Sequence, residues 1–196
     1  SKNSMMQSLT EGLKFVFKTK LLVGALSLDL FSVFFGGAVA LIPVIAIEVL
    51  HVGATEFGFL RAAPAVGAVL TMLMMTRFSP MGKPWRNLLL AVTGFGVSII
   101  CYGLSTNFYL SLIFLALSGA FDNISVVIRT TIVQLQTPDH MRGRVSSVNS
   151  IFIGSSNEIG AFESGFAAKL LGLVPSVVFG GTMTILVTGI TARFAP

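Results

Sequence analysis

"LLLAVTGFGVSIICYGLS", Leu88–Ser105, runs for eighteen residues without a charged side chain. A helix of about 20 such residues crosses a hydrocarbon layer ~30 Å thick. "LVPSVVFGGTMTILVTGITA", residues 173–192, is a second run of the same kind. The whole chain agrees with these two stretches. Of its 196 residues 54% are hydrophobic and only 11% charged, with a mean hydropathy of +0.87. A soluble domain carries about 25% charged residues. Seventeen Phe and 20 Gly fit the same class, because spanning helices tolerate glycine. The composition therefore predicts an all-α integral membrane protein.

Six hydrophobic segments are expected, near Leu21–Leu50, Phe57–Thr76, Leu88–Ser105, Phe108–Leu135, Val145–Leu171 and Leu173–Arg193. "HVGATE", "STN" and "LGLVP" join alternate pairs on one side, and "RFSPMGKPWRN" and "QTPDHMRGR" join the others. The first set of loops is nearly free of Lys and Arg, apart from Arg61 and Lys169 near helix ends. The second set holds Arg77, Lys83, Arg86, Arg142 and Arg144, while Lys2, Lys14, Lys18 and Lys20 precede the first span and Arg193 follows the last. Positive residues concentrate on the cytoplasmic side, which predicts both termini there. Residues 1–20 read as a cytoplasmic amphipathic linker, with Leu9, Leu13 and Phe17 at helical spacing beside Lys14 and Lys18. Residues 21–196 then form the six-helix domain.

The uncharged third and sixth spans are expected to face lipid. The first, fourth and fifth carry Asp29, Asp122 with Asn123, and Asn157 with Glu158 and Glu163. Each triplet of spans thus ends in an uncharged helix. This is a weak 3+3 repeat of the kind found in bundles of inverted three-helix units.

Several function classes are excluded. One cysteine, Cys101, permits neither an internal disulfide nor a cysteine cluster. His51 and His140 are far apart and lack ligand-spaced partners, so no metal is expected. No phosphate loop or Ser/His/Asp set is present, so neither an enzyme nor a cofactor is expected, and any energy source is an ion gradient. The net charge of +5 is spread through loops and offers no surface for nucleic acid.

An ionised side chain near the bilayer centre costs roughly 2.5–3.5 kcal/mol, so each must face protein or water. Asp29 shares a face with Ser32 and Gly36, and Gly36, Gly37 and Pro43 weaken that helix. Ser118, Asp122, Ser125 and Arg129 form one stripe. Ser147, Gly154, Ser155, Glu158 and Gly165 form another. Glu163 points about 140° away from Glu158 at ~100° per residue, so the two make no acidic dyad. Glu158 and Asp122 come out near the midplane, Asp29 in the cytoplasmic half and Glu163 near the outer surface. The expected site is a water-filled cavity lined by Asp29, Asp122, Asn157 and Glu158, serving substrate binding and proton coupling. Arg129 and Glu163 are expected to be structural. The competing reading has the acids paired off and only holding helices together.

"EGLKFVFKTKLL", "ALIPVIAIEVLHVGATEFGFLRAAPAVGAVL", "VVIRTTIVQLQTPDHMRGRVSSVNS" and "FIGSSNEIGAFESGFAAKLLG" resemble the C-terminal half of major facilitator superfamily transporters. The resemblance is to the bacterial branch related to the enterobactin exporter and macrolide efflux proteins. It covers nearly the whole chain and is most specific over residues 136–165. It implies helices seven to twelve of a twelve-helix fold, with seven, eight, ten and eleven around the cavity and a six-helix N-terminal half as partner. The family's Gly-x-x-x-Asp-x-x-Gly-Arg loop survives only as Gly82 and Lys83, with Ser79 in place of the acid and Met75 in place of the first glycine. The later loop keeps Asp139, Arg142, Gly143 and Arg144, and the resemblance gives them a cytoplasmic gating role. The expected function is secondary active efflux of a drug or siderophore, driven by protons, in a bacterial inner membrane. A homodimer of half-size transporters and a non-transport membrane scaffold are the alternatives. The chain starts at Ser1 without an initiator Met and is expected to belong to something longer.

Overall fold

Proline, glycine and short polar links cut the apolar sequence into helices. The structure, a computed structural model, describes residues 2–35 and 37–194, and the side-chain surroundings of 10–19, 21–35 and 39–193. The α-helices are α1 (Lys2–Lys18), α2 (Lys20–Phe35), α3 (Ile42–Glu48), α4 (Ala54–Met75), α5 (Pro84–Leu104), α6 (Phe108–Gln136), α7 (Arg142–Leu171) and α8 (Leu173–Phe194). No strand occurs among the described residues. The chain is an all-α membrane protein.

The helix ends follow local chemistry. Pro84 opens α5, where a missing N–H costs nothing. Asn107 caps α6, its side-chain oxygen accepting from the amides of Tyr109 at 2.9 Å and Leu110 at 3.2 Å. Gly172 ends α7 at φ +92°, a conformation other residues rarely adopt. The first expected span is broken. A 3-10 turn, Gly37–Leu41, separates α2 from α3, and Pro43 sits in the first turn of α3. Gly36 lies outside the described residues, as do Ser1, Ala195 and Pro196.

α6 packs between α4 and α5, α5 packs on α8, and α8 and α2 both pack on α7. The tightest crossing is reciprocal. A methyl group on Gly119 of α6 would collide with the Pro64 carbonyl of α4, and one on Gly67 of α4 with the Ala116 carbonyl of α6. Backbones that close gain dispersion contacts, which matter in lipid because hydrophobic burial drives little there.

The core is split into two apolar layers. One holds Leu22, Leu28, Leu88, Val92, Ile128, Ile132, Val145 and Val148. The other holds Leu41, Ile45, Leu60, Ile99, Tyr102, Leu115 and Val177. Between them, α2, α5, α6 and α7 pass through polar or small-residue stretches. These stretches contain Asp29 and Ser32 of α2, Gly94, Gly96 and Ser98 of α5, Ser118 to Ser125 of α6, and Ser156 to Gly160 of α7. Most core hydroxyls there donate within their own helix, as Ser32 does to the Leu28 carbonyl at 2.5 Å.

Tyr102 is an exception in the second layer. It is fully buried, and its hydroxyl has no hydrogen-bond partner among the described residues. A buried hydroxyl left unpaired costs about 1–3 kcal/mol. Tyr102→Phe should therefore raise the apparent melting temperature in detergent slightly or leave it unchanged. A clear drop would show that the hydroxyl is bonded.

Among the described residues five stretches are long and apolar enough to cross a membrane: Leu21–Glu48, Ala54–Met75, Pro84–Leu104, Phe108–Gln136 and Leu173–Arg193. The expected fifth span, Val145–Leu171, is not among them. α7 has 30 residues, or ~45 Å of helix, so length is sufficient. Its apolar content is not, because Asn149, Asn157 and several serines, together with Glu158, Glu163 and Lys169, interrupt it.

Candidate functional site

The polar layer opens into a cavity of about 730 Å³. α2, the broken segment and α3 supply one wall through Val33, Val39 and Pro43. Arg61 enters from α4, Asp122 from α6, and Asn157 and Glu158 from α7. All four of these polar side chains are exposed to the cavity. Among the described residues none of the three charged groups forms an ion pair. Arg61 thus shares the cavity lining with two carboxylates, of which Asp122 also lies within electrostatic reach of Arg129, a setting that suits a polar or charged guest.

Asp122, Asn157 and Glu158 line one cavity. Asp29 does not join them. It is buried beneath the wall, 2.5 Å from the Arg129 guanidinium, with side chains 7% and 5% exposed respectively. Arg129 also reaches the Ser125 hydroxyl at 3.5 Å. Asp29 and Ser32 are both buried, and Asp29 turns toward Arg129 of α6. The expectation that Asp29 lines the cavity is corrected on this point. The stripe on α6 divides likewise: Ser118, Ser125 and Arg129 are buried, while Asp122 faces the opening.

The stripe on α7 is exposed along its length, from Ser147 through Gly154, Ser155 and Glu158 to Gly165. The buried face of α7 runs instead through Val145, Val148, Ser156, Gly160, Ser164 and Ala167. Of the exposed stripe only Glu158 lies on the cavity wall, next to Asn157. Glu163 is half-buried and off that wall.

Arg61 is the residue that sequence reasoning missed. A span that starts at Phe57 puts it near a helix end. α4 starts at Ala54, after Gly53, so Arg61 lies seven residues inside it, or ~10 Å along the axis. A helix start at Gly53 was the available signal.

The loop residues form contacts at the opposite end of α7 from Lys169. Arg142 pairs with Asp139 at 3.0 Å, both well exposed. Arg144 pairs with Glu11 of α1 and touches the Met141 sulfur at 3.5 Å. Gly143 and Arg142 border a cleft of about 430 Å³ between α6 and α7. Beside Arg144, Gly12 of α1 approaches the α7 backbone closely, and Val16 joins the core. Leu13 and Phe17 of α1 stay exposed; the side chain of Leu9 lies outside those described.

The family described as "Transmembrane secretion effector" matches residues 1–195. The enterobactin exporter EntS of Shigella flexneri is 27% identical over 185 residues, covering 94% of this chain and 43% of that protein. The protein of the same name from Citrobacter koseri is 27% identical over 196 residues, covering 96% of this chain and 47% of that protein. The chain therefore spans less than half the length of these curated relatives. No solved structure matches it.

Proposed function

The chain belongs to the transmembrane secretion effectors of the major facilitator superfamily, in the enterobactin-exporter branch, and from that premise we propose that it forms half of a proton-driven exporter of a small molecule in a bacterial inner membrane. The observation that carries the reading is the cavity, in which Arg61, Asp122, Asn157 and Glu158 converge between two apolar layers. A charged, roomy site at mid-depth has no use in a scaffold, and it is where transporters of this build bind substrate.

In this reading α7 also crosses the membrane, as the fifth of six spans in chain order. Its charges are tolerated because one face is packed on α2 and α8 and another borders the cavity. The six spans form a 3+3 inverted repeat, with both termini cytoplasmic and residues 1–20 on the membrane surface. A second six-helix half closes the open side of the cavity. Glu158 and Asp122 exchange protons, Asn157 and Arg61 contact the guest, and Asp29 holds Arg129 in place. Asp139, Arg142, Gly143 and Arg144 act as the cytoplasmic gate, since the pairs made by Arg142 and Arg144 bind the start of α7 to its loop and to α1.

The relatives' name makes enterobactin the first substrate to test. In everted vesicles carrying this chain together with a six-helix partner half, enterobactin or a dye substrate should discharge a preformed proton gradient. A gradient indifferent to every candidate substrate would reject the reading. The chain expressed alone should insert without transporting, and gradient-driven efflux by it alone would replace the reading with a homodimer of halves.

A further inference from the structure

Away from the cavity, α5 and α8 leave a surface groove of about 490 Å³. Its floor is apolar, formed by Leu89, Leu90, Ile185 and Gly189. The two threonines on its walls make no polar demand. Thr93 donates to the Leu89 carbonyl at 2.8 Å and Thr188 to the Thr184 carbonyl at 2.8 Å. Hydrocarbon can therefore lie against them without leaving a hydroxyl unpaired.

At one end the chemistry changes. Arg86 lies on the groove wall, is exposed, and makes no ion pair among the described residues. Lys83 comes three residues before it, and Arg193 lies in the last turn of α8 four residues beyond Gly189, on the same helical face. No Asp or Glu lines the groove. Trp85, beside Arg86, is half-buried, and its indole rim abuts Gly24 of α2, where an added methyl group would stand 3.0 Å from the ring. The ring is thus held at the junction of the apolar floor and the cationic end. Tryptophan favours that level of a membrane, and basic pockets between helices take lipid headgroups. From Arg86 to Thr93 the groove follows ~10 Å of α5, enough for the upper part of an acyl chain.

We propose that the α5–α8 groove binds an anionic phospholipid, with its phosphate at Arg86 and one acyl chain along Leu89, Leu90, Ile185 and Gly189. The spans that carry no charge are then not a featureless lipid-facing surface. They hold a specific lipid at the basic end of the bundle, on the side away from the transport cavity.

Trp85 is the one tryptophan of the chain, so its fluorescence reads the groove directly. The chain is reconstituted in phosphatidylcholine vesicles. A fixed minor fraction of the lipid is brominated in the upper acyl chain, as phosphatidylglycerol in one set and as phosphatidylcholine in the other. The brominated phosphatidylglycerol should quench Trp85 about fivefold more effectively. Arg86→Gln should bring the ratio to about one. Arg77→Gln, beyond the end of α4 and off the groove, should leave it unchanged. Gly189→Leu should weaken quenching by both lipids, because open space around that glycine lets leucine fill the floor without a clash. Equal quenching by the two lipids in the unaltered chain would overturn the proposal. So would a ratio that survives Arg86→Gln, or one that Arg77→Gln lowers as much, since the preference would then be diffuse surface charge.

Discussion

Arg129→Met should prevent the protein from accumulating in folded form, and Arg129→Met combined with Asp29→Leu should recover it. The two side chains are 2.5 Å apart and almost fully enclosed. Beyond this pair Arg129 makes a long contact, 3.5 Å to Ser125, and lies within electrostatic reach of Asp122, which faces the cavity. Removing the guanidinium strands a carboxylate in the interior, which costs about 3–5 kcal/mol. That is a large part of the 5–15 kcal/mol typical of a folded protein. Removing both charges replaces the pair with apolar volume between Leu28 and Ile128, both already in the apolar layer beside it. Such replacements are often neutral or stabilising. Monodisperse yield in detergent, followed through a heating series, would separate the cases. Normal yield of the single variant, or equal failure of the double, would show that the pair does not tie α2 to α6.

This ion pair also marks where the sequence stops being legible. Spacing places Asp29 with Ser32, and Arg129 with Ser125 and Ser118, and both alignments hold. Spacing does not say which way a face turns. α2 is apolar nearly all round, so nothing in it separates a face packed on α6 from one that meets water. Asp29 could be assigned to a layer of the membrane but not to the cavity or the core. On α6 the same ambiguity splits one stripe, with Arg129 inward and Asp122 toward the opening. Arg61 was lost for a different reason. An apolar run was read as starting at its first large side chain, Phe57, whereas backbone hydrogen bonding carries α4 back to Gly53. By contrast, the break at Gly37–Leu41 and Pro43 was readable, because glycine and proline act on the backbone itself. The charge-free stretches 88–105 and 173–192 were readable as spans for the same kind of reason, since their composition leaves no other solvent open to them. α7 was harder. Its buried face is small and partly hydroxylated, with Ser156, Gly160 and Ser164, so neither hydropathy nor amphipathic pattern marks it strongly.

Glu158→Gln should leave insertion and yield near those of the unaltered protein while reducing the dependence of efflux on the proton gradient at least about tenfold. The first half of that expectation follows from position. Glu158 is exposed to the cavity and, among the described residues, supports no ion pair, so its replacement by an isosteric amide removes no packing. The second half rests on the proposed transport cycle, in which a carboxylate reachable by water must gain and lose a proton as the cavity opens to each side. An amide cannot do so. Asp122→Asn tests the neighbouring carboxylate on the same wall, and its effect on coupling should be similar if the two acids share the proton. Glu163→Gln is the contrast. Glu163 is on the same helix but half-buried and off the wall, so it should alter thermal stability while leaving coupling intact. Arg61→Gln distinguishes guest contact from proton transfer, since loss of the cavity's one cation should raise the KM for an anionic substrate more than it changes gradient dependence. Full coupling in Glu158→Gln together with lost coupling in Glu163→Gln would move the proton site from the cavity wall to the far side of α7. Full coupling in Glu158→Gln, Asp122→Asn and Glu163→Gln alike would leave the cavity acids as guest contacts and remove protons from the mechanism.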